Sequence, residues 1–147
     1  MQAVRWLNVY GGASAGPSIY YDDVAPFQGY QRGGFYGITF QPNQHLTENV
    51  EGNTVRFDRA SNGERVYAVD VVNSCTTYQF DKHFLVRLLA QYDSSSHRVL
   101  TDLLASYELV PGTVFHAGYG SLYERTDQQY RAVNRGLFFK ASYLHRF

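Results

Sequence analysis

Apolar and polar residues alternate one by one through the second half of this chain, and that period admits little except β-structure. Between Arg98 and Leu109 the odd positions read Val, Thr, Leu, Ala, Tyr, Leu, and the even ones Arg, Leu, Asp, Leu, Ser, Glu. Successive strand side chains point to opposite faces, so this segment predicts one apolar and one mostly polar face. Phe84–Asp93 repeats it, with Phe84, Val86, Leu88, Ala90 and Tyr92 opposite Leu85, Arg87, Leu89, Gln91 and Asp93. Val114–Tyr123 groups Phe115, Ala117, Tyr119 and Tyr123, and Asn134–Phe147 groups Leu137, Phe139, Ala141, Tyr143 and Phe147. Weaker alternation predicts further strands over Val66–Phe80, His45–Asp58, Phe35–Gln41 and Val4–Tyr10, about eight in all.

The segments between them sort into two kinds. Gln41–Gln44, Asp81–Lys82 and Pro111–Gly112 carry the Pro, Asn, Asp and Gly of tight turns. Gly11–Gly34, Arg59–Glu64, Asp93–His97 and Arg125–Val133 read as longer polar loops, alternating with the short ones. The expected fold is all-β: an antiparallel up-and-down meander in one domain, closed as an eight-stranded barrel or forming the C-terminal part of a larger one.

Composition narrows the function. The 147 residues are 44% hydrophobic and 16% aromatic, too apolar for a disordered chain. Thirteen basic and thirteen acidic residues cancel, so no net field would hold nucleic acid, and no nucleic-acid partner is expected. The single cysteine, Cys75, leaves no disulfide framework or Cys-rich zinc site. No run approaches the ~20 apolar residues of a membrane helix. The start, Met1–Tyr10, lacks the uninterrupted apolar stretch of a signal peptide, and Ala13-Ser14-Ala15 reads as loop rather than as a cleavage site. An exported chain of this kind would carry its signal upstream.

Alternation alone does not say whether the apolar face points inward, as in a lipocalin-like soluble barrel, or outward to lipid. Three features favour lipid. The clear strands match or exceed the ~9–11 residues that cross a bilayer at a tilt. The other face carries Arg87, Arg98, Asp102, Glu108, Lys140 and Arg146, charges of both signs that would converge in a lumen. Aromatics gather toward strand ends, at Tyr78, Phe80, Tyr92, Tyr107, Tyr119, Tyr123 and Tyr143, where interfacial girdles would sit. Leu85, Leu89, Leu100, Leu104 and Phe138 share the charged face and keep a soluble binder of a small apolar ligand open as the alternative.

The chain end, Gly136-Leu137-Phe138-Phe139-Lys140-Ala141-Ser142-Tyr143-Leu144-His145-Arg146-Phe147, resembles the closing strand of bacterial outer-membrane barrels. The resemblance assigns Phe139, Tyr143 and Phe147 to the signal read by the outer-membrane barrel assembly machinery. Tyr78-Gln79-Phe80-Asp81, Val86–Tyr92, Val110-Pro111-Gly112-Thr113 and Gly118–Tyr123 are similar to a bacterial outer-membrane family with an N-terminal carbohydrate-binding-module family nine-like domain. Its C-terminal barrel is a domain of unknown function. The resemblance runs from about Phe35 to the terminus. It implies outer-membrane localisation, lipid as surroundings, a structural or channel-type, porin-like role, and a link to saccharide binding or passage. It also implies that the sugar-binding domain and earlier strands lie upstream.

The residues offer no enzyme. His45, His83, His97, His116 and His145 form no close i, i+2 or i, i+4 pair, so no local metal site is expected. Asp102 and Glu108 share a face but lie ~20 Å apart along the strand, too far for a glycosidase pair. Asp22-Asp23 beside Tyr20-Tyr21 reads as a solvated loop, and Ser94-Ser95-Ser96-His97 as a connection rather than a nucleophile with its base. Phosphate-loop, dinucleotide and Gly-x-Ser-x-Gly signatures are absent, leaving an outer-membrane hydrolase as the remote enzymatic reading. Neither cofactor nor catalytic residue is expected.

Overall fold

A computed structural model describes residues 2–4, 6–21, 25–126 and 129–143, the side chains of 2–4 and 126 aside. These residues form one antiparallel sheet in strict sequence order, without a helix: β1 (Gln2–Val4), β2 (Leu7–Tyr20), β3 (Phe27–Phe40), β4 (Leu46–Arg59), β5 (Arg65–Gln79), β6 (Phe84–Asp93), β7 (Arg98–Val110), β8 (Thr113–Thr126) and β9 (Gln129–Tyr143). Eight of these strands are long, and the ribbon β1 touches only the first residues of β2. The meander is therefore as the alternation predicts. The sheet is not closed: among the described residues each strand pairs only with its sequence neighbours, leaving β9 and most of β2 as free edges.

Two expected loops are corrected. The Gly11–Gly34 stretch, and Ala13-Ser14-Ala15 within it, is mostly strand: β2 and β3 pair without a break from Leu7↔Phe40 to Tyr20↔Phe27. The physical reason is cross-strand complementarity between rings and glycines. Tyr10, Gly11 and Gly12 stand opposite Gly37, Tyr36 and Phe35, so each aromatic faces a glycine. Tyr10 lies over Gly37, Phe35 over Gly12, and Tyr36 over Gly52 of β4, each where a Cβ would otherwise stand. An aromatic laid across a glycine restores the cover a strand glycine lacks. The Arg125–Val133 stretch is likewise largely strand, with a bulge at Val133 between Leu122 and Tyr123 of the partner register. The strict alternation of long and short connections disappears with these loops.

Pro17 inside β2 does no damage to the ladder. Trp6 carbonyl accepts from Gln41 N–H at 2.7 Å, which makes the even residues of β2 the hydrogen-bonded ones toward β3. Pro17 is odd, so its missing N–H falls on the free edge, where a strand tolerates proline. Turns at the other end have local causes. The Asp81 carboxylate accepts from His83 and Phe84 N–H at 2.6 and 2.8 Å, and Gly112 takes φ 94° in the tight β7–β8 turn.

Registers carry side chains coherently from strand to strand. One face gathers Val86, Leu88, Leu103, Ala105, Phe115, Ala117, Leu137 and Phe139; the opposite face gathers Arg87, Asp102, His116 and Lys140. Hardly anything is buried on either side: Phe57, at 1% exposure, is the one buried apolar side chain among the described residues. The fold is a single layer, whereas self-sufficient domains pack two or more.

The sheet curls, and the direction of the curl is set by Phe57 and its neighbours. Tyr20, Phe27, Phe57 and Tyr67 lie on one face of β2, β3, β4 and β5, with ring centroids 5.2–6.2 Å apart. In a flat sheet Tyr20 and Tyr67 would be separated by three strand spacings, about 14 Å, plus about 13 Å along the strands. Their rings are 6.1 Å apart. Only a sheet bent toward the face these rings share brings them together, so the face that carries Arg87, Asp102 and Lys140 farther along the sheet is the concave one. At this end it is aromatic, and the convex side carries Arg32, Arg56, Asp58 and Asp70.

Candidate functional site: the concave face

Through the two-residue period one face continues from strand to strand, and the concave one carries most of the sheet's amides. One row across the sheet runs Tyr10, Gly37, Glu51, Asn73, Gln91, Leu100, Leu122, Asn134; the next runs Asn8, Thr39, Asn49, Cys75, Leu89, Asp102, Gly120, Gly136. The lining is thus chiefly amides and carboxylates, with leucines grouped on β6–β8. The alternating Thr47, Asn49, Glu51 and Asn53 of β4 held the sequence signal for the amides, which the search for charges passed over.

The six charges expected to meet in a lumen are placed as follows. Arg87, Arg98, Asp102, Glu108 and Lys140 all lie on the concave face; Arg146 is outside the described residues. The register brings Arg98 opposite Glu124, at 3.4 Å. Arg87 stands opposite Leu104 and Thr77, Asp102 opposite Leu89 and Gly120, and Lys140 opposite His116. Glu108 Oε1 accepts from Gly112 N–H at 3.4 Å. No ion pair joins Arg87, Asp102, Glu108 and Lys140 to one another among the described residues. His116 Nδ1 bonds the Ser106 hydroxyl at 2.7 Å, and Cys75 is free and half-buried. No group of three His, Cys, Asp or Glu stands close enough to hold a metal among the described residues.

At the end of the sheet where β2 meets β3, the concave face is filled. The Tyr20–Phe27–Phe57–Tyr67 cluster is topped by Arg59, whose guanidinium lies 4.2 Å from the Phe27 ring centroid. Sequence reading missed this cluster because Tyr20 and Phe27 fell in the segment taken as loop.

The convex face holds the expected girdle residues. Tyr78, Phe80 and Tyr107 lie at the tight-turn end, where ring contacts run from His45 to Tyr78, Phe80, Phe84 and Tyr107 at 4.7–6.4 Å. Trp6 and Phe40, in edge contact at 5.6 Å, extend this rim to β2 and β3. Tyr92 and Tyr123 lie toward the opposite end, each in register with Val99; Tyr143 ends β9; and Tyr119 sits mid-strand between Leu103 and Leu137. From Phe84 to Tyr92 is about 26 Å along the strand, or about 20 Å of depth at the usual barrel tilt, near the ~25 Å apolar band of such barrels. Phe139 and Tyr143 share this face; Phe147 and Asp22-Asp23 are outside the described residues. The convex face is apolar over β6–β9 but not over β3–β5, where it carries Arg32, Arg56, Asp58, Asp70 and Glu48, the last accepting from the Ser74 and Thr76 hydroxyls.

No known protein family matches the chain, and neither does any curated protein or solved structure.

Proposed function

We propose that this chain forms the wall of a bacterial outer-membrane β-barrel with a structural or channel-type role, its convex face in lipid and its concave face lining a hydrated interior. One observation carries the reading: a single-layer sheet curls toward the face that bears Glu51, Asn73, Arg87, Asp102 and Lys140 and leaves the apolar face of β6–β9 uncovered. Leu103 is 45% exposed, Leu137 72% and Phe139 79%. The apolar surface across β6–β9 needs a cover, and lipid supplies it without further protein. A lipocalin-like barrel curls the other way, toward its apolar face. The aromatic rims and the closing-strand resemblance of β9 support the same reading, including recognition by the barrel assembly machinery.

Refolding separates the alternatives. In detergent micelles the chain should give a β-sheet dichroism spectrum and a gel band whose mobility shifts on heating; in plain buffer it should not. A monodisperse β-protein in plain buffer would overturn the membrane reading and favour the soluble binder.

A further inference from the structure

The concave face carries a hollow of about 320 Å³ bounded by Tyr10, Phe35, Glu51, Asn53, Val71 and Asn73. That size is at the lower end of small-ligand sites, ~300–1,000 Å³. Its floor and wall differ in chemistry. Tyr10 of β2 leans over Gly37 of β3, and Phe35 of β3 leans back over Gly12 of β2. The two rings therefore lie along the sheet in adjacent rows, half-exposed, with the space above them open. Next to this floor, β4 and β5 supply Glu51, Asn53 and Asn73, level with Tyr10 or Phe35 through the register. The Tyr10 hydroxyl donates to Glu51 Oε1 at 2.7 Å, fixing the carboxylate beside the rings. Asn53 and Asn73 make no side-chain hydrogen bond to the protein among the described residues, so their amides remain available to a ligand.

We propose that this hollow binds a saccharide, one pyranose unit lying on the Tyr10–Phe35 floor with its hydroxyls bonded to Glu51, Asn53 and Asn73. A pyranose has a C–H face that meets the negative face of an aromatic ring, and an edge of hydroxyls that both donate and accept. The floor matches the first and the mixed amide–carboxylate wall matches the second. An organic cation would use the rings and Glu51, but the amide N–H groups offer it nothing. The proposal rests on the concave face being the hydrated side of a membrane barrel.

The test uses the full chain refolded in an amine-oxide detergent, so that no glycoside headgroup competes. Saturation-transfer NMR is run with cellobiose at ~10 mM, ten times a millimolar Kd, and with choline chloride in parallel. Cellobiose should receive saturation most strongly at its ring C–H protons. Phe35→Ala should abolish the transfer, and Asn53→Ala should raise Kd about tenfold, the loss of one well-made hydrogen bond. Phe138→Ala, on the same face over Gly118 but away from the hollow, should leave transfer unchanged. Should Phe35→Ala lose its heat-shifted band, Phe35→Leu keeps cover over Gly12 without the aromatic face and should also lose transfer. A heat-modifiable chain with no transfer to cellobiose, with transfer undiminished in these variants, or with stronger transfer to choline overturns the site while leaving the barrel reading intact. A chain that folds only in plain buffer overturns the barrel reading, and the proposal falls with it.

Discussion

Leu103 and Leu100 lie three residues apart on β7 and, by parity, on opposite faces of the sheet. Arginine at each position separates the account from its rivals. Leu103 sits mid-strand on the convex face, in a row with Leu88, Tyr119 and Leu137. If lipid covers that face, Leu103→Arg places a guanidinium near the bilayer midplane at a cost of about 2–4 kcal/mol, or about 30- to 900-fold in the folding equilibrium. Leu100 lies on the concave face between Gln91 and Leu122, with Arg98 and Asp102 two residues away on either side of it. An arginine there meets water, an amide and a carboxylate, so Leu100→Arg should stay within about 0.5 kcal/mol of the parent. The assay is reversible urea unfolding from phosphatidylcholine vesicles, followed through the fluorescence of Trp6, the chain's one tryptophan. Equal tolerance of the two substitutions, or a larger loss from Leu100→Arg, would refute the assignment of faces.

Three further outcomes follow from particular contacts. Phe57→Ala empties the center of the concave-face aromatic cluster and should cost about 3 kcal/mol, the low end for a buried Phe, with loss of near-UV dichroism from the neighbouring tyrosines. Gly37→Ala puts a methyl group where the Tyr10 ring lies, which should destabilise by about 1–3 kcal/mol, and by much less in a Tyr10→Ala background. Asp81 lies in the β5–β6 turn, where the His83 and Phe84 N–H groups hold its carboxyl below the usual carboxylate value. A lowered folded pKa contributes stability above the unfolded value and loses it as pH falls through the folded one. Asp81→Asn, which keeps an acceptor without a charge, should therefore flatten the stability–pH curve in the acidic range, measured by the same urea titration.

The strands from β6 to β9, apart from the Gln129–Val133 start of β9, were legible because their two faces differ in chemistry, so alternation survives inspection residue by residue, and β4 and β5 showed it more weakly. Val86, Leu88 and Ala90 against Arg87, Leu89 and Gln91 is a pattern that needs no partner strand to be seen. β2 and the first half of β3 were not legible. Gly11, Gly12, Ala13 and Gly16 carry no strand preference, and what makes them strand is the ring on the facing residue, visible only once Tyr10↔Gly37 and Gly12↔Phe35 are known. The mirrored runs Tyr10-Gly11-Gly12 and Phe35-Tyr36-Gly37 are the trace that pairing leaves in the sequence. The concave site divides in the same way. Its charged members stood out as interruptions of an apolar pattern, whereas Tyr10 and Phe35 stood at the ends of the weakly alternating segments Val4–Tyr10 and Phe35–Gln41, and Tyr20 fell in a segment taken as loop. The Phe57 cluster joins four strands, and no local spacing announces a contact of that order.

The central claim is that the polar face lies inside and the apolar face in lipid. Single spin labels placed along residues 98–109, in a Cys75→Ser background and in lipid vesicles, test it most directly. The account predicts collision with dissolved oxygen at the odd positions 99, 101, 103, 105 and 107, and with a water-soluble nickel reagent at the even positions between them. Access of the nickel reagent to the odd positions, with the even ones shielded, would contradict it.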